Sequence, residues 1–239
     1  MKAKERIILA LDVNSKDEAL ELVKKMAGSV GAFKVGMQLY NLAGPGIVRC
    51  INDLGGRVFV DLKFHDIPNT VASAGRVMTG LDCFMFNVHA AGGRVMLKEV
   101  ARAVKEEALR LRRAPPKILA VTVLTSISQK EMEDEMLIKG RTVEQVVAAW
   151  AKMAQQSGID GVVCSPREIA VIRACCGSDF IIVTPGIRPQ WSEEGDQKRV
   201  TTPRQALDYG ADYMVIGRPI IKAGDPVEAA RLIIDELEA

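Results

Sequence analysis

The chain has 239 residues, 48% of them hydrophobic and 26% charged, with a formal net charge of +2. That length suits one large core, the balance is that of an ordinary soluble globular protein, and a charge so close to neutral excludes a general nucleic-acid surface. No apolar run is long enough to span a bilayer, and the opening Met-Lys-Ala-Lys-Glu-Arg lacks the apolar segment of a signal peptide. Five cysteines, at 50, 83, 164, 175 and 176, have no zinc-like spacing and read as reduced thiols in a cytoplasmic protein. His65 and His89 are the only histidines, so a zinc site is not expected.

The first apolar run covers 7–11 and ends at Asp12. Asn14 and Ser15 then open an amphipathic segment reaching residue 27, with Ser15 and Glu18 spaced as a capping box. A second run over 31–33 ends at Lys34, and a helix over 46–54 stops at Gly55-Gly56. The third run, Val58-Phe59-Val60, leads directly into Asp61, Leu62 and Lys63, and Asp66 lies just before Pro68. Pro68 starts a helix over 68–79. A fourth run over 83–88 ends at His89, and a long helical pattern covers Gly93–Leu111.

Pro115-Pro116 separates this helix from a fifth run over 117–124, which ends at Thr125-Ser126. Helical patterns follow over 129–137 and 142–156, then a sixth run over 161–164. A seventh run over 180–183 leads into Thr184-Pro185-Gly186-Ile187-Arg188-Pro189, with Gln197 further along the same connection. After a helix over Pro203–Tyr209, the eighth run, Tyr213–Ile216, ends at Gly217-Arg218, and a last helix covers 226–237.

Short apolar runs alternating with helices imply right-handed βαβ units and a parallel sheet. About eight units in one chain of this length favour a single-domain (β/α)8 TIM barrel over the whole of 1–239. An open doubly wound sheet is the alternative, but no Gly-x-Gly-x-x-Gly follows the first run. Asp12, Lys34, Asp61, Lys63, Thr125, Arg188 and Arg218 all follow the C-terminal ends of predicted strands, the face where barrel enzymes assemble their sites. Residues two apart on a strand share a face, so Asp61 and Lys63 should project together. A strand-end salt bridge explains that spacing alone; the shared address of the other polar residues favours a site.

The chemistry divides into two parts. Gly186-Ile187-Arg188 and Gly217-Arg218 lie in the last two loops, where barrels often bind phosphate, and Gln197 adds a neutral donor. Lys34, Asp61, Lys63 and Asp66 alternate in sign and are able to hold one ammonium firmly. A lysine proton donor beside a carboxylate suits decarboxylation, because the ammonium stabilises and then protonates the carbanion left on the substrate.

The string Asp61-Leu62-Lys63-Phe64-His65-Asp66-Ile67-Pro68-Asn69-Thr70 resembles the signature of the orotidine 5′-monophosphate decarboxylase family. The resemblance continues through Leu11-Asp12, Phe33-Lys34-Val35-Gly36, Asn87-Val88-His89-Ala90, Val123-Leu124-Thr125-Ser126, Thr184-Pro185-Gly186-Ile187-Arg188 and Gly217-Arg218-Pro219-Ile220. It implies a homodimeric barrel, free of cofactor and metal, that converts orotidine 5′-monophosphate to uridine 5′-monophosphate in pyrimidine synthesis. By the same resemblance Lys63 protonates C6, Asp61 stands beside the leaving carboxylate, Lys34 orients Asp61 and touches the ribose, and Asp12 binds a ribose hydroxyl. Asp66, Ile67 and Thr70 would enter the neighbouring subunit's site. Thr125 or Ser126 would lie near the pyrimidine, and Arg188, Gln197, Gly217 and Arg218 would carry the phosphate.

Two other readings stand beside this one. A sugar-phosphate decarboxylase or synthase of the same barrel superfamily shares Asp61, Lys63 and Asp66 but uses magnesium with a further acidic ligand, where this chain has Lys34. A noncatalytic phosphate-ligand barrel would keep Gly217-Arg218 without needing Lys63 between two aspartates.

Overall fold

A computed structural model describes residues 1–192 and 201–239 of the chain. Eight parallel strands close into a barrel: β1 (Ile7–Ala10), β2 (Ala32–Gly36), β3 (Val58–Phe64), β4 (Met85–His89), β5 (Lys117–Val121), β6 (Gly161–Val163), β7 (Ile181–Pro185) and β8 (Tyr213–Ile216). Each strand pairs with the next and β8 returns to β1, the closed (β/α)8 barrel expected from the alternation of runs and helices.

The period-2 alternation of each strand separates two cores. Ile8, Ala10, Ala32, Phe59, Met85, Leu119, Val183 and Val215 pack together inside the barrel. Ile7, Leu9, Phe33, Val35, Val58, Val60, Phe86 and Val88 face outward into the larger layer under the helices. Burying both faces is why these strands read as near-continuous apolar runs.

Some helices begin where a side chain or a proline suits their free N–H end. The Ser15 side chain accepts the Glu18 N–H at 3.1 Å, while Glu18 reaches back to the Asn14 N–H at 3.2 Å, one residue earlier than in a capping box. Pro68 occupies the first turn of the helix Pro68–Gly80, where its missing N–H costs nothing. The helix Gly93–Leu111 buries Met96, Leu97, Val100 and Val104 and packs on Pro68–Gly80. Gly75 permits that approach: a Cβ there would meet Val100 Cγ2 at 2.9 Å.

Three differences from the sequence reading have local causes. A helix over Met37–Ala43 buries only Leu39, too little to leave a readable apolar period. The fifth strand ends at Val121 rather than at 124, because β6 offers only three partners and both the Thr122 N–H and its hydroxyl turn to the Val163 carbonyl. The helix expected over 129–137 stops at Asp134, and Leu137 takes a left-handed φ of 60°. Among the described residues no helix is long and apolar enough to cross a membrane.

Candidate active site

Inward parity carries polar groups to the C-terminal mouth. Ile8 and Ala10 are followed by Asp12, Ala32 by Lys34, Phe59 by Asp61, and Met85 by Asn87, all continuing the barrel-facing series. Register aligns them, since Ala10 pairs with Lys34 and Gly36 with Asp61.

Lys34, 9% exposed, is bracketed by two carboxylates, with its Nζ 3.1 Å from Asp12 Oδ1 and 3.6 Å from Asp61 Oδ2. The other Asp61 oxygen, Oδ1, accepts from Lys63 Nζ at 2.7 Å and from Asn87 Nδ2 at 2.7 Å. The result is a row of alternating sign, Asp12, Lys34, Asp61, Lys63. Burial alone pushes the Asp61 carboxyl up; the charges of Lys34 and Lys63 and the hydrogen bonds from Lys63 and Asn87 outweigh it and hold that carboxyl below its usual range. Gly36 leaves the room this requires, because a Cβ there would lie 3.0 Å from Lys34 Nζ.

Asp61 and Lys63 do project together, but an undisturbed strand is not the reason. Between β3 and β4, Val60 faces Phe86 and Phe64 faces Val88, so four steps on one strand oppose two on the other. Within this bulge Lys63 has φ of 53°, a left-handed conformation that costs a non-glycine residue about 1–3 kcal/mol. The bent backbone carries the Lys63 ammonium back to Asp61.

Two adjoining cavities, each of about 200 Å³, share Lys34, Pro185 and Val215. The first is floored by Phe59, Val121 and Val163, carries Asp61 and Lys63, and is rimmed by both Thr125 and Ser126. The second contains Asp12, Gly186, Arg188, Gly217 and Arg218. Gly186 turns the chain out of β7 with φ of 77°, and the Arg188 N–H donates to the Thr201 carbonyl at 3.0 Å, fixing that turn. One cavity suits a flat, mostly apolar ring next to an acid–base pair, and the other suits an anionic group.

Three of the expected site residues stand apart. Asp66, Ile67 and Thr70 are exposed, and Asp66 Oδ1 accepts its neighbour's N–H from Ile67 at 2.6 Å. None of the ion pairs among the described residues includes Asp66, so the four-membered alternation expected with it contains Asp12 in its place within one chain. Gln197 lies outside the described residues.

Asn87 received no role from the sequence, although a signal existed: it is a polar residue on the inward parity of an otherwise apolar run. His89, by contrast, has a structural part, since its Nδ1 accepts the Ala91 N–H at 3.1 Å and its ring stacks on His65.

Fold and site together define a (β/α)8 barrel with a lysine–carboxylate centre and an arginine-bearing pocket at one mouth. The chain belongs to the orotidine 5′-phosphate decarboxylase / HUMPS family, whose model matches residues 5–233. It is 66% identical over 238 residues to the orotidine 5′-phosphate decarboxylase of Syntrophomonas wolfei, covering 100% of both chains. It is 54% identical to the protein of that name from Moorella thermoacetica, covering 100% of this chain and 94% of the other. The crystal structure of orotidine 5′-phosphate decarboxylase from Lactobacillus acidophilus superposes with a TM-score of 0.86 at 36% identity, covering 98% of this chain and 99% of that one.

Proposed function

We propose that this chain is a carboxy-lyase that converts orotidine 5′-monophosphate to uridine 5′-monophosphate and CO2, the final step of UMP formation in pyrimidine synthesis. The observation that carries the reading is the Lys63 ammonium held 2.7 Å from Asp61 at the mouth of a ring-sized cavity, with an arginine-bearing pocket next to it. The bond between C6 and the carboxylate breaks, its electron pair stays on C6, and a proton from Lys63 Nζ closes the new C–H bond. Lys63 is reprotonated from water.

Each neighbour has a part in this scheme. Asp61, its carboxyl held below the usual range and so ionised, disfavours the substrate carboxylate beside it and holds the Lys63 ammonium in place until that proton is given up. Lys34 keeps Asp61 charged and, with Asp12, faces the ribose. Thr125 or Ser126 contacts the pyrimidine edge, and Arg188, Gln197, Gly217 and Arg218 take the phosphate. Phosphate held far from the reacting carbon contributes binding energy that supports the chemistry.

No cofactor or metal enters the scheme. Lys34 places a fixed ammonium 3.6 Å from Asp61, where the magnesium-using relatives would need a further acid. The test is the loss of orotidine monophosphate absorbance with purified protein, with and without EDTA. Turnover that persists in EDTA supports the reading, dependence on magnesium would favour the sugar-phosphate class, and binding without spectral change would favour a noncatalytic barrel.

The reading includes a homodimer, located in the cytoplasm, in which Asp66, Ile67 and Thr70 complete the partner's site. Ile67, an apolar side chain 68% exposed just beyond the end of β3, supports it. Mixing Lys63→Ala with Asp66→Ala subunits should then restore part of the activity. No recovery after verified subunit exchange would remove Asp66 from the shared site.

A further inference from the structure

We infer that Asn87 is a positioning residue for the decarboxylation proposed above: one buried amide fixes both the proton donor Lys63 and the carboxylate Asp61. Its Oδ1 accepts the Lys63 backbone N–H at 2.7 Å, and its Nδ2 donates to Asp61 Oδ1 at 2.7 Å. The side chain is 0% exposed, on β4, one strand away from both partners.

The amide orientation is set by its partners. The Lys63 N–H is only a donor and the ionised Asp61 only an acceptor, so no flipped Asn87 satisfies both. The bulge makes the contact necessary. With three residues of β3, Asp61, Leu62 and Lys63, opposite the single Asn87 of β4, Lys63 falls out of the ladder register, and a buried N–H left without an acceptor is costly. Asn87 Oδ1 takes the place of a ladder carbonyl and stabilises the left-handed backbone at Lys63. Its Nδ2 shares Asp61 Oδ1 with the Lys63 ammonium, leaving Oδ2 for Lys34. Asn87 thus joins backbone strain, donor and carboxylate in one unit, without facing the anion pocket.

Two variants test this. Asn87→Ala removes both contacts, and we expect kcat to fall about a hundredfold through misplacement of Lys63. The KM should stay within about threefold, because the phosphate and ribose contacts are untouched. Without the amide donor Asp61 is a stronger base, so the acid limb of the pH–rate profile should move up. Asn87→Asp keeps the shape and the acceptor but sets a second carboxylate against Asp61. As pH falls the two share a proton, and the new carboxyl then donates where the amide did. Its kcat relative to wild type should therefore rise between about pH 8 and about pH 5.5, opposite in direction to the alanine variant.

A folded Asn87→Ala protein with near wild-type kcat and an unmoved acid limb would overturn the inference, as would equal losses in both variants at every pH. If the alanine variant does not fold, the isosteric aspartate variant decides alone through the sign of its pH dependence. If the wild-type protein does not decarboxylate orotidine monophosphate, the function proposed above fails. Asn87 is then judged by the crystal structure of the alanine variant: Lys63 leaves Asp61 if the inference holds, and remains 2.7 Å away if it is wrong.

Discussion

The two ends of the barrel use the same residue types for opposite purposes. At the N-terminal end, Arg173 donates to the carbonyls of Gly177, Ser178, Phe180 and Gly210 and pairs with Asp212 at 2.7 Å. The same Asp212 oxygen accepts the Ile182 N–H at 2.8 Å, and Asp160 likewise accepts the Ile118 N–H at 2.9 Å while pairing with Lys117. Arg57 donates to the Gly31 carbonyl and lies 4.2 Å over the Phe84 ring. Charges there are tied to backbone, closing the loops that enter the strands. At the C-terminal mouth, Asp12, Lys34, Asp61 and Lys63 are tied mainly to one another, and Lys63 sits on a strained backbone. A charge bonded to main chain holds the fold; a charge bonded to other charges beside a cavity is available to a substrate.

The two networks should respond to mutation in opposite ways. The largest effect is expected from Lys63→Ala, which should lower kcat by about 10⁴-fold, while the melting temperature changes little. A single-turnover absorbance assay together with calorimetry checks both halves. Arg173→Ala should do the reverse. It leaves several carbonyls without their donor and Asp212 without its counter-charge, at a cost of roughly 3 kcal/mol, with kcat per folded molecule unchanged. Urea unfolding monitored alongside activity separates the two.

Glu168 sharpens the contrast, since it is a buried carboxylate that belongs to neither network. Its Oε2 accepts the Ser165 N–H at 2.9 Å, and burial pushes its carboxyl up to about 7 from 4.5. The folded state therefore keeps a proton that the unfolded chain releases, so stability falls as pH rises from 4.5 to about 7 and is level beyond. Glu168→Gln, which still accepts from Ser165, should stabilise by on the order of 2 kcal/mol at about pH 8 and by nothing measurable at about pH 4. Denaturation at those two pH values measures the difference.

Much of this molecule was legible before folding. The order of strands, the gathering of Asp12, Lys34, Asp61, Arg188 and Gly217-Arg218 toward one mouth, and the start of the helix at Pro68 all follow from local composition and spacing, although β2 runs on past Lys34 to Gly36 and β3 past Asp61 to Phe64. These features depend on each residue's own preference for a buried strand, a turn or a charged mouth, and that preference travels with the sequence.

Closure was different. That Lys34 stands between Asp12 and Asp61, that β3 bulges so that Lys63 turns back, and that Asn87 supplies the missing acceptor were decided by register between strands far apart in the chain. A hydrogen bond across a barrel is a relation between two backbones. No single segment encodes it until its neighbour is in place, so spacing placed the charges at one mouth and the tertiary structure decided which of them touch.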